Sequence, residues 1–250
     1  MTLWARAILV CSLLLVVFPG RAKTINVVTE YLNHYQMKRP DGSLGGYSTE
    51  VVRALFEHTQ DTPVIRVMPW ARTYRQALLK PNTMIYSLAY NDIRKPRFHC
   101  IGVLDIERLF FWGLKDSGVG PVSSLANMQK YIIAVTKSSN PEQYLSQNGF
   151  DNLVRIVKPE QALGMLYKQR VDAVISARAS IMERARKMGK APERLHPLFE
   201  LTALNHPLCI AFNRKSSRAL VQKYRRAFRA IEKNGSLSDI RKRWNVTLSP

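Results

Sequence analysis

The chain has 250 residues and a formal net charge of +20 at pH 7, from 38 lysine and arginine residues against 18 acidic residues. This imbalance favours an anionic partner such as a small ligand, a membrane surface or a nucleic acid. The cations are spread along the chain, and five of them lie on the polar side of one predicted C-terminal helix, as a solvated face would. No zinc-ligand spacing, aromatic RNA-binding signature or helix-turn-helix pattern occurs, so we exclude nucleic-acid binding.

The first 22 residues have the features of a secretory signal peptide. An arginine precedes an apolar run over residues 7–18, and a Pro-Gly break and Ala22 follow it. We therefore predict cleavage before Lys23 and export of the mature chain. The apolar run is shorter than the roughly 20 residues that a spanning helix needs. An uncleaved N-terminal anchor is the alternative.

Three cysteines occur, and their positions bear on the redox compartment. Cys11 lies inside the apolar run and is removed with the leader, which leaves Cys100 and Cys209. Disulfide bonds persist in an oxidising compartment outside the cytoplasm. The sequence leaves two possibilities open, a bond between these two residues or two buried free thiols.

The first part of the mature chain alternates strand-like and helix-like segments. Short apolar runs predict strands, and segments with apolar residues at helical spacing predict helices. The predicted strands cover residues 25–29, 64–68, 83–88 and 109–114, and the predicted helices begin near Ser48 and cover residues 70–79. This alternation indicates an α/β fold with mostly parallel sheets.

Residues 116–121 form the best linker candidate, because they contain two glycines and a proline. A second α/β unit follows. Its predicted strands cover residues 131–136, 171–175 and 208–212, and its predicted helices cover residues 141–147, 160–169 and 180–188. Two helices end the chain, and the first of them is predicted to stop at Asn234-Gly235.

Arg94 is the first candidate binding residue. It follows the apolar strand at residues 83–88 and the polar turn Asn91-Asp92. A guanidinium at the carboxyl end of a buried strand can grip a carboxylate through two parallel hydrogen bonds. We therefore predict that Arg94 binds an anionic group. The alternative is an arginine that is solvated or paired with a neighbouring acid.

Six short segments, each weak alone, follow one another in a characteristic order. They are VTEY (28–31) with Tyr35, DGSLGGYSTE (41–50), NDIR (91–94), AVTKSSN (134–140), VDAVI (171–175) and AIEKNGSL (230–237) with Trp244. This order resembles the bacterial extracellular solute-binding proteins of family 3, which include periplasmic receptors for polar amino acids that feed ABC importers. The resemblance covers essentially all of the mature chain.

The resemblance implies a type II periplasmic binding protein fold, with two α/β lobes, a hinge and a ligand cleft. Residues 23–113 and 207–250 would form lobe 1, and residues 114–206 would form lobe 2. It also implies a monomeric periplasmic protein, without a cofactor or a metal, that captures a small polar solute for an ABC permease in the inner membrane. Closure of the cleft would couple solute binding to recognition by that permease.

The same resemblance assigns residues to the cleft. Arg94 stands where the family holds the carboxylate of the ligand, and Ala89 stands where a threonine is common, so only its backbone amide would contact the ligand. Ser139 and Asn140 stand in a loop that opens a helix of lobe 2. The residues themselves favour Asn140 as the N-cap and Pro141 as the first helical residue, with free amides that attract an anion. An ordinary cap is the alternative.

One departure from the family concerns the ammonium group of an amino acid. Family members usually have an aspartate after the strand at residues 171–175, but this chain has Ala177 there. An unpaired ammonium in a closed cleft costs several kcal/mol. An α-amino acid therefore requires another acid, and we expect Glu30, at the end of the first strand, to supply it rather than Glu50 or Asp92.

Aromatic residues near the predicted cleft are candidates for its walls. Trp70 lies in a Pro-Trp-x-Arg segment that resembles a less characterised branch of the family, and Tyr31 and Tyr35 follow the first strand. Flat aromatic walls are common in ligand sites, but aromatic residues at such spacing also form cores. We expect at most two of the three to line the cleft.

Two other functions remain open from the sequence. Cyclohexadienyl dehydratases resemble the same family, and an enzyme of that kind would take its acid from Glu30, His34 or His99. A ligand-sensing periplasmic module is the second alternative. No Ser-His-Asp set or glycine-rich phosphate loop occurs, so we expect a binding protein rather than an enzyme.

Overall fold

The computed structural model describes residues 22–32 and 34–246, so the predicted signal peptide lies outside the described residues except for Ala22. In chain order the strands are β1 (Thr24–Thr29), β2 (Met37–Lys38), β3 (Leu44–Gly45), β4 (Thr62–Val67), β5 (Thr83–Ala89), β6 (Phe98–Ile106), β7 (Phe110–Leu114), β8 (Ile133–Thr136), β9 (Leu153–Ile156), β10 (Ala173–Ser176), β11 (Leu195–Glu200) and β12 (Pro207–Asn213). The helices are α1 (Tyr47–Thr59), α2 (Trp70–Leu79), α3 (Asn140–Gln147), α4 (Pro159–Tyr167), α5 (Arg178–Lys187), α6 (Arg218–Lys233) and α7 (Ser236–Arg243).

The first sheet combines early strands with a late one, in the order β4-β1-β5-β12-β6. β1 pairs in parallel with β4 and β5, while β12 runs antiparallel between β5 and β6. Because successive strand residues point to opposite faces, the sheet has two apolar sides. Helices α1, α6 and α7 cover one side through residues such as Leu55 and Tyr224. Helix α2 covers the other through Trp70 and Tyr74.

The second sheet has the order β11-β7-β10-β8-β9. Strands β8, β9 and β10 are parallel, and β7 runs antiparallel to both β10 and β11. Leu145 of α3 belongs to the core on one side, and Leu163 of α4 and Ile181 of α5 belong to the core on the other. The structure therefore has an α/β architecture with two separately packed sheets, as the sequence predicts. The predicted mostly parallel pairing is wrong, because each of these sheets has two parallel and two antiparallel strand pairs.

The chain crosses between the two sheets twice, at residues 107–109 and 201–206. Strand β7 lies beyond the first crossing and pairs only with strands of the second sheet. The predicted end of lobe 1 at residue 113 is therefore wrong, because residues 110–113 belong to the second sheet. The division into two lobes that move about a hinge stays a prediction.

Cys100 and Cys209 form a disulfide bond, with their Cα atoms 5.7 Å apart. Of the two possibilities that the sequence leaves open, the structure has the bond. It joins β6 to β12 at the edge of the first sheet, and the 109 residues of the closed loop contain the whole second sheet. Within the described part of the chain, no helix is long and apolar enough to cross a membrane.

Candidate functional site

A cavity of about 140 Å³ lies between the two sheets. The first sheet and its helices contribute Glu30, Trp70, Ala89 and Arg94 to its wall, and the second contributes Ser139, Asn140, Ser180 and Arg184. Glu107, in the first chain crossing, also lines it. Residues of both sheets thus meet around one space, which is the arrangement expected of a cleft that closes on a ligand.

Arg94 reaches the cavity because the turn after β5 is held in a fixed shape. Its backbone amide donates a hydrogen bond to the Asn91 side-chain oxygen at 3.1 Å. Arg94 is 1% exposed, and its guanidinium lies beside the stacked pair of Trp70 and Tyr74, at 5.3 and 5.0 Å from their ring centroids. Both rings attract the cation. The sequence-based alternative of a solvated arginine does not hold.

The hydrogen bonds of Arg94 leave part of its fork available. One terminal nitrogen donates to the Ala89 carbonyl oxygen at 3.2 Å, while Nε has no hydrogen-bond partner. Burial lowers the pKa of Arg94 to about 10, although nearby Tyr74 and Glu30 oppose that shift. The guanidinium therefore stays charged at neutral pH, and an anion at Nε would relieve a buried unsatisfied donor.

Hydrogen bonds cross the cavity and hold the two sheets together. The Trp70 indole Nε1 donates to the Ser138 carbonyl oxygen at 2.8 Å, and Asn91 Nδ2 donates to Asn140 Oδ1. Arg94 also donates to Gln143 Oε1 at 3.4 Å. These contacts require the two walls of the cavity to lie close together.

Replacing Trp70 with Phe is expected to weaken ligand binding about fivefold to tenfold. The phenyl ring keeps an aromatic face over Arg94, but the hydrogen bond to Ser138 is lost, and one such bond contributes about 1 kcal/mol to the closed form. Isothermal titration with a bound solute would measure the change. Trp244→Phe is the matched control, because Trp244 Nε1 also donates a hydrogen bond, to Glu50, but neither residue lines the cavity. Equal effects of the two substitutions would contradict the assignment.

Two acids face the cavity. Burial and, less strongly, the charge of Glu107 raise the pKa of Glu30 to about 8, although Arg184 and Arg94 oppose the shift. Burial, together with Asp105, raises the pKa of Glu107 to about 7, again against the charge of Arg184. Both carboxylates thus lie in surroundings that disfavour their ionised form.

The other two acids considered from the sequence are engaged elsewhere. Asp92 is exposed and forms an ion pair with Lys95. Glu50 accepts hydrogen bonds from Arg243 and from the Trp244 indole. Glu30 is therefore the only one of the three sequence candidates that lines the cavity described here.

Unpartnered polar atoms mark the surface that a ligand would contact. Among the described residues, Arg94 Nε, Asn140 Nδ2 and Ser180 Oγ are buried without a hydrogen-bond partner, and all three residues line the cavity. A buried polar group without a partner costs free energy unless something satisfies it. A ligand with acceptor oxygens would satisfy all three.

Solved structures with a similar fold cover almost the whole chain. A histidine kinase sensor domain with similarity to periplasmic binding proteins has a TM-score of 0.81 at 20% identity, over 92% of this chain and 99% of that one. An ancestral arginine-binding protein bound to arginine has a TM-score of 0.75 at 17% identity, over 88% and 97%. The arginine-, lysine- and histidine-binding protein ArtJ from Geobacillus stearothermophilus has a TM-score of 0.74 at 16% identity, over 89% and 95%.

The chain has the periplasmic binding protein fold. Such low identities establish the fold alone. No protein-family model and no curated protein sequence matches the chain. The agreement is nevertheless consistent with the resemblance of its six segments to family 3 solute-binding proteins.

The N-terminus of helix α3, in the cavity wall that the second sheet contributes, differs from the prediction. Ser139, not Asn140, is the N-cap of α3, since its side chain accepts a hydrogen bond from the Glu142 amide at 3.3 Å. The predicted cap at Asn140 is wrong because two good capping residues are adjacent and the chain uses the first. Glu142 also accepts a bond from the Ser138 amide, so the chain itself supplies an anion at this terminus.

The predicted aromatic walls are only partly present. Trp70 lines the cavity. Tyr35 is 3% exposed, and its hydroxyl donates to Asp105 in the core of the first sheet, so its predicted place in the cleft is wrong. Tyr31 is 46% exposed and is not part of the cavity wall. An amphipathic tyrosine fits a core as readily as a site, so its position was decided by packing.

The cavity residues that were missed from the sequence include Glu107, Ser180 and Arg184. Glu107 lies between β6 and β7, at the point where the chain crosses from one sheet to the other. Its place just before the apolar strand β7 was the only feature of the sequence that could have indicated a role for it. Ser180 and Arg184 are one helical turn apart on α5, so they share a face. Within the described residues, no group of three His, Cys, Asp or Glu side chains is placed to hold a metal ion.

Proposed function

We propose that the protein is a periplasmic solute-binding protein that captures a small, carboxylate-bearing, amino acid-like solute for an ABC importer. The observation that carries this proposal is the Arg94 guanidinium, which is buried, lies against the rings of Trp70 and Tyr74, and is unpartnered at Nε. A ligand carboxylate would accept the charge-assisted hydrogen bonds that this fork offers. Ala89, Ser139 and Asn140 would complete the contacts around it.

The size of the cavity supports a small solute. Its 140 Å³ corresponds to roughly ten water-sized volumes. A compound with about ten non-hydrogen atoms therefore fills it, which is the size of a common amino acid. Two of the structural neighbours bind amino acids according to their names. That likeness supports the proposal without assigning the ligand.

The proposal includes a motion and a location. The two chain crossings, at residues 107–109 and 201–206, would act as the hinge, and a monomer closed on its solute would present both lobes to a permease in the inner membrane. The disulfide between Cys100 and Cys209 supports an oxidising compartment. The proposal assigns no catalytic step to the cleft.

A sensing role is the second candidate, and one observation favours it. Of the three neighbours described, the histidine kinase sensor domain has the highest TM-score and the fullest coverage. The same cleft would then report its ligand to a signalling partner instead of a permease. Genes for a permease and an ATPase beside this gene favour transport, whereas a histidine kinase gene favours sensing.

The test is a thermal-shift screen of the exported, purified protein against amino acids, dicarboxylates, small sugars and polyamines. A ligand at 100 times its dissociation constant adds about 2.7 kcal/mol of stability, which is a shift of several degrees for a chain of this size. We expect a carboxylate-bearing solute to give that shift and Arg94→Ala to abolish it.

Two further variants keep this result interpretable. Arg94→Lys retains the charge but loses the fork, so it should bind more weakly than the native protein and more tightly than Arg94→Ala. Arg97→Ala removes an exposed arginine three residues away and should bind normally. Circular dichroism confirms that each variant is folded. A cooperatively melting native protein that responds to no compound would overturn the proposal in favour of a protein partner.

A further inference from the structure

Both backbone groups of Lys23, the first residue after the predicted cleavage position, are hydrogen-bonded. Its backbone nitrogen donates to Asp61 Oδ1 at 3.0 Å, and its carbonyl oxygen accepts from the Thr62 amide at 2.9 Å. Strand β1 begins at the next residue, Thr24, which lies opposite Thr62 in β4. Ala22, in contrast, is exposed. The described chain is therefore fixed to the first sheet from Lys23 onward.

Asp61 is a buried acid with several donors around it. Its side chain has no exposed surface, and besides the Lys23 nitrogen it accepts hydrogen bonds from Lys223 Nζ at 2.8 Å and from the Tyr224 hydroxyl at 3.1 Å. Burial alone would raise the pKa of Asp61, but the donors and the charge of Lys223 outweigh it and lower the pKa below its ordinary value. The carboxylate is therefore ionised at neutral pH.

The cation already beside this carboxylate is partly in water. The Lys223 side chain is 38% exposed, so solvent screens its charge. Asp61 itself is out of reach of water, and a buried carboxylate is stabilised by each further charged donor that reaches it. The Lys23 nitrogen holds the remaining donor position, on the same oxygen that accepts from Lys223.

The site joins separate parts of the first sheet and lies far from the cavity. Asp61 lies between α1 and β4, and its two side-chain donors belong to α6. Lys23 lies at the start of β1, whereas Glu30, at the other end of that strand, lines the cavity. The six residues of β1 separate the two places by roughly 20 Å. Contacts at Asp61 therefore concern the scaffold and not the ligand.

We infer that Asp61 is the binding site for the α-ammonium group of the processed chain, which begins at Lys23. This assignment rests on the export that the proposed function includes, but not on the cleft or its ligand. Gly20 and Ala22 fit a cleavage site with two small residues around a larger one. A leader peptidase would hydrolyse the bond between Ala22 and Lys23 with one water, leaving Ala22 as a carboxylate and the Lys23 nitrogen as an ammonium.

Processing replaces a neutral donor with a cation at the same position. Before hydrolysis the Lys23 nitrogen is an amide with a single N–H. Afterwards it has three N–H donors and a full charge beside a buried carboxylate oxygen. Charge-assisted hydrogen bonds are about twice as strong as neutral ones. The start of β1, the turn after α1 and helix α6 are therefore held together more firmly in the processed protein than in the precursor.

The ion pair also predicts a range of pH for this added stability. A partner that stabilises an ammonium gives stability that is complete below about pH 8, where a free α-amino group ordinarily titrates, and that is lost as the pH rises further. The titratable groups that contact Asp61 are Lys223 and Tyr224. Burial raises the pKa of Tyr224, so its hydroxyl stays protonated from pH 7 to pH 10. Lys223 is present before and after processing, so its own titration cancels in a comparison.

A double-mutant cycle tests the site. The protein is released from a cleavable fusion so that it starts at Lys23 or at Ala22, in the native sequence and in Asp61→Asn. The one-residue extension keeps the α-ammonium and the net charge but moves that charge by roughly 3.8 Å along the chain. At pH 7 we expect the form that starts at Lys23 to melt about 2–4 °C higher. The difference should fall below about 1 °C in Asp61→Asn and should shrink in the native sequence at pH 10.

Asp151→Asn is the matched control, because Asp151 is an exposed acid before β9 in the second sheet, and it should leave the difference between the two forms unchanged. Equal melting temperatures of the two native-sequence forms at pH 7, or a difference that is the same at pH 10, would overturn the site without any substitution. So would an exported protein whose intact mass shows a first residue other than Lys23. The two forms contain the same cavity, so the ligand screen decides the solute-binding proposal separately.

Discussion

Replacing Cys100 and Cys209 together with alanine is expected to lower the free energy of unfolding by about 4–5 kcal/mol. The bond closes a loop of 109 residues, and the unfolded chain loses more conformational freedom the longer such a loop is. Cys209 lies in the central part of the first sheet and is fully buried, so the native side of the bond is also well supported. Urea denaturation followed by circular dichroism measures the loss.

Reduction provides the control for this prediction. The native protein unfolded in the presence of a reducing agent should match the double variant, since both have a linear chain. Each single alanine variant should be destabilised to a similar extent. A loss below about 1 kcal/mol would show that the bond contributes little to stability and that β6 and β12 stay paired in the first sheet without it.

The strength of the bond matters for the cleft because of where the loop begins and ends. Cys100 precedes the first chain crossing and Cys209 follows the second, so the two segments that would act as a hinge leave the first sheet beside a covalent tie. We expect the disulfide to limit separation of β6 from β12 without restricting rotation at residues 107–109 and 201–206.

Secondary structure was predictable where one signal dominated. Helix α2 begins and ends where the sequence predicts, at Trp70 and Leu79, because Pro69 fixes its start and its apolar residues recur at helical spacing. β5 is a continuous apolar run buried on both faces, which is the clearest strand pattern of a parallel sheet. Such elements depend little on the rest of the chain.

Besides the two-residue strands β2 and β3, three longer strands were not predicted, and each has a mixed pattern. β6 contains Gly102, which resembles a strand breaker but is needed because a Cβ there would lie 2.3 Å from the Phe228 ring of α6. β9 is only four residues long and contains Arg155. β11 contains Pro197 beside a register shift opposite β7. In each case tertiary contacts, and not local preference, make the strand.

The candidate site was predictable from the sequence where the type of a residue and its position after a strand indicated the same role. Arg94 drew attention because a cation after a buried strand has few structural explanations, and the structure places it in the cavity wall. Glu107 drew none, because acids commonly occur where strands end. Only the packing of two sheets shows that this strand end is enclosed. The roles of the cavity residues in binding stay predictions.

The double variant Glu30→Gln with Glu107→Gln is expected to be more stable than the native ligand-free protein at pH 9, by a free energy on the order of 3 kcal/mol. Both acids have a pKa that burial raises, to about 8 and about 7. An acid whose pKa is raised by folding adds stability below its unfolded value near 4.5 and loses that contribution as the pH rises through the folded value. Glutamine removes this loss because it does not ionise.

The sign of the effect distinguishes this prediction from ordinary structural damage. At pH 5 the acids are protonated in the folded state and only partly ionised in the unfolded state, so the double variant and the native protein should differ in stability much less than at pH 9. Thermal unfolding at pH 5 and pH 9, with Glu57→Gln as an exposed control on α1, measures the difference. A double variant that is less stable than the native protein at pH 9 would show that the acids have partners which stabilise them.

A gain in stability of the double variant at pH 9 would show that the fold does not need these two acids, so another role would account for their presence. Two uncompensated carboxylates in an enclosed cavity weaken the closed form, and proteins accept such losses mainly where a site needs the groups. Stability that increases on removal of the acids, together with binding that decreases, is the combination expected of a functional subsite.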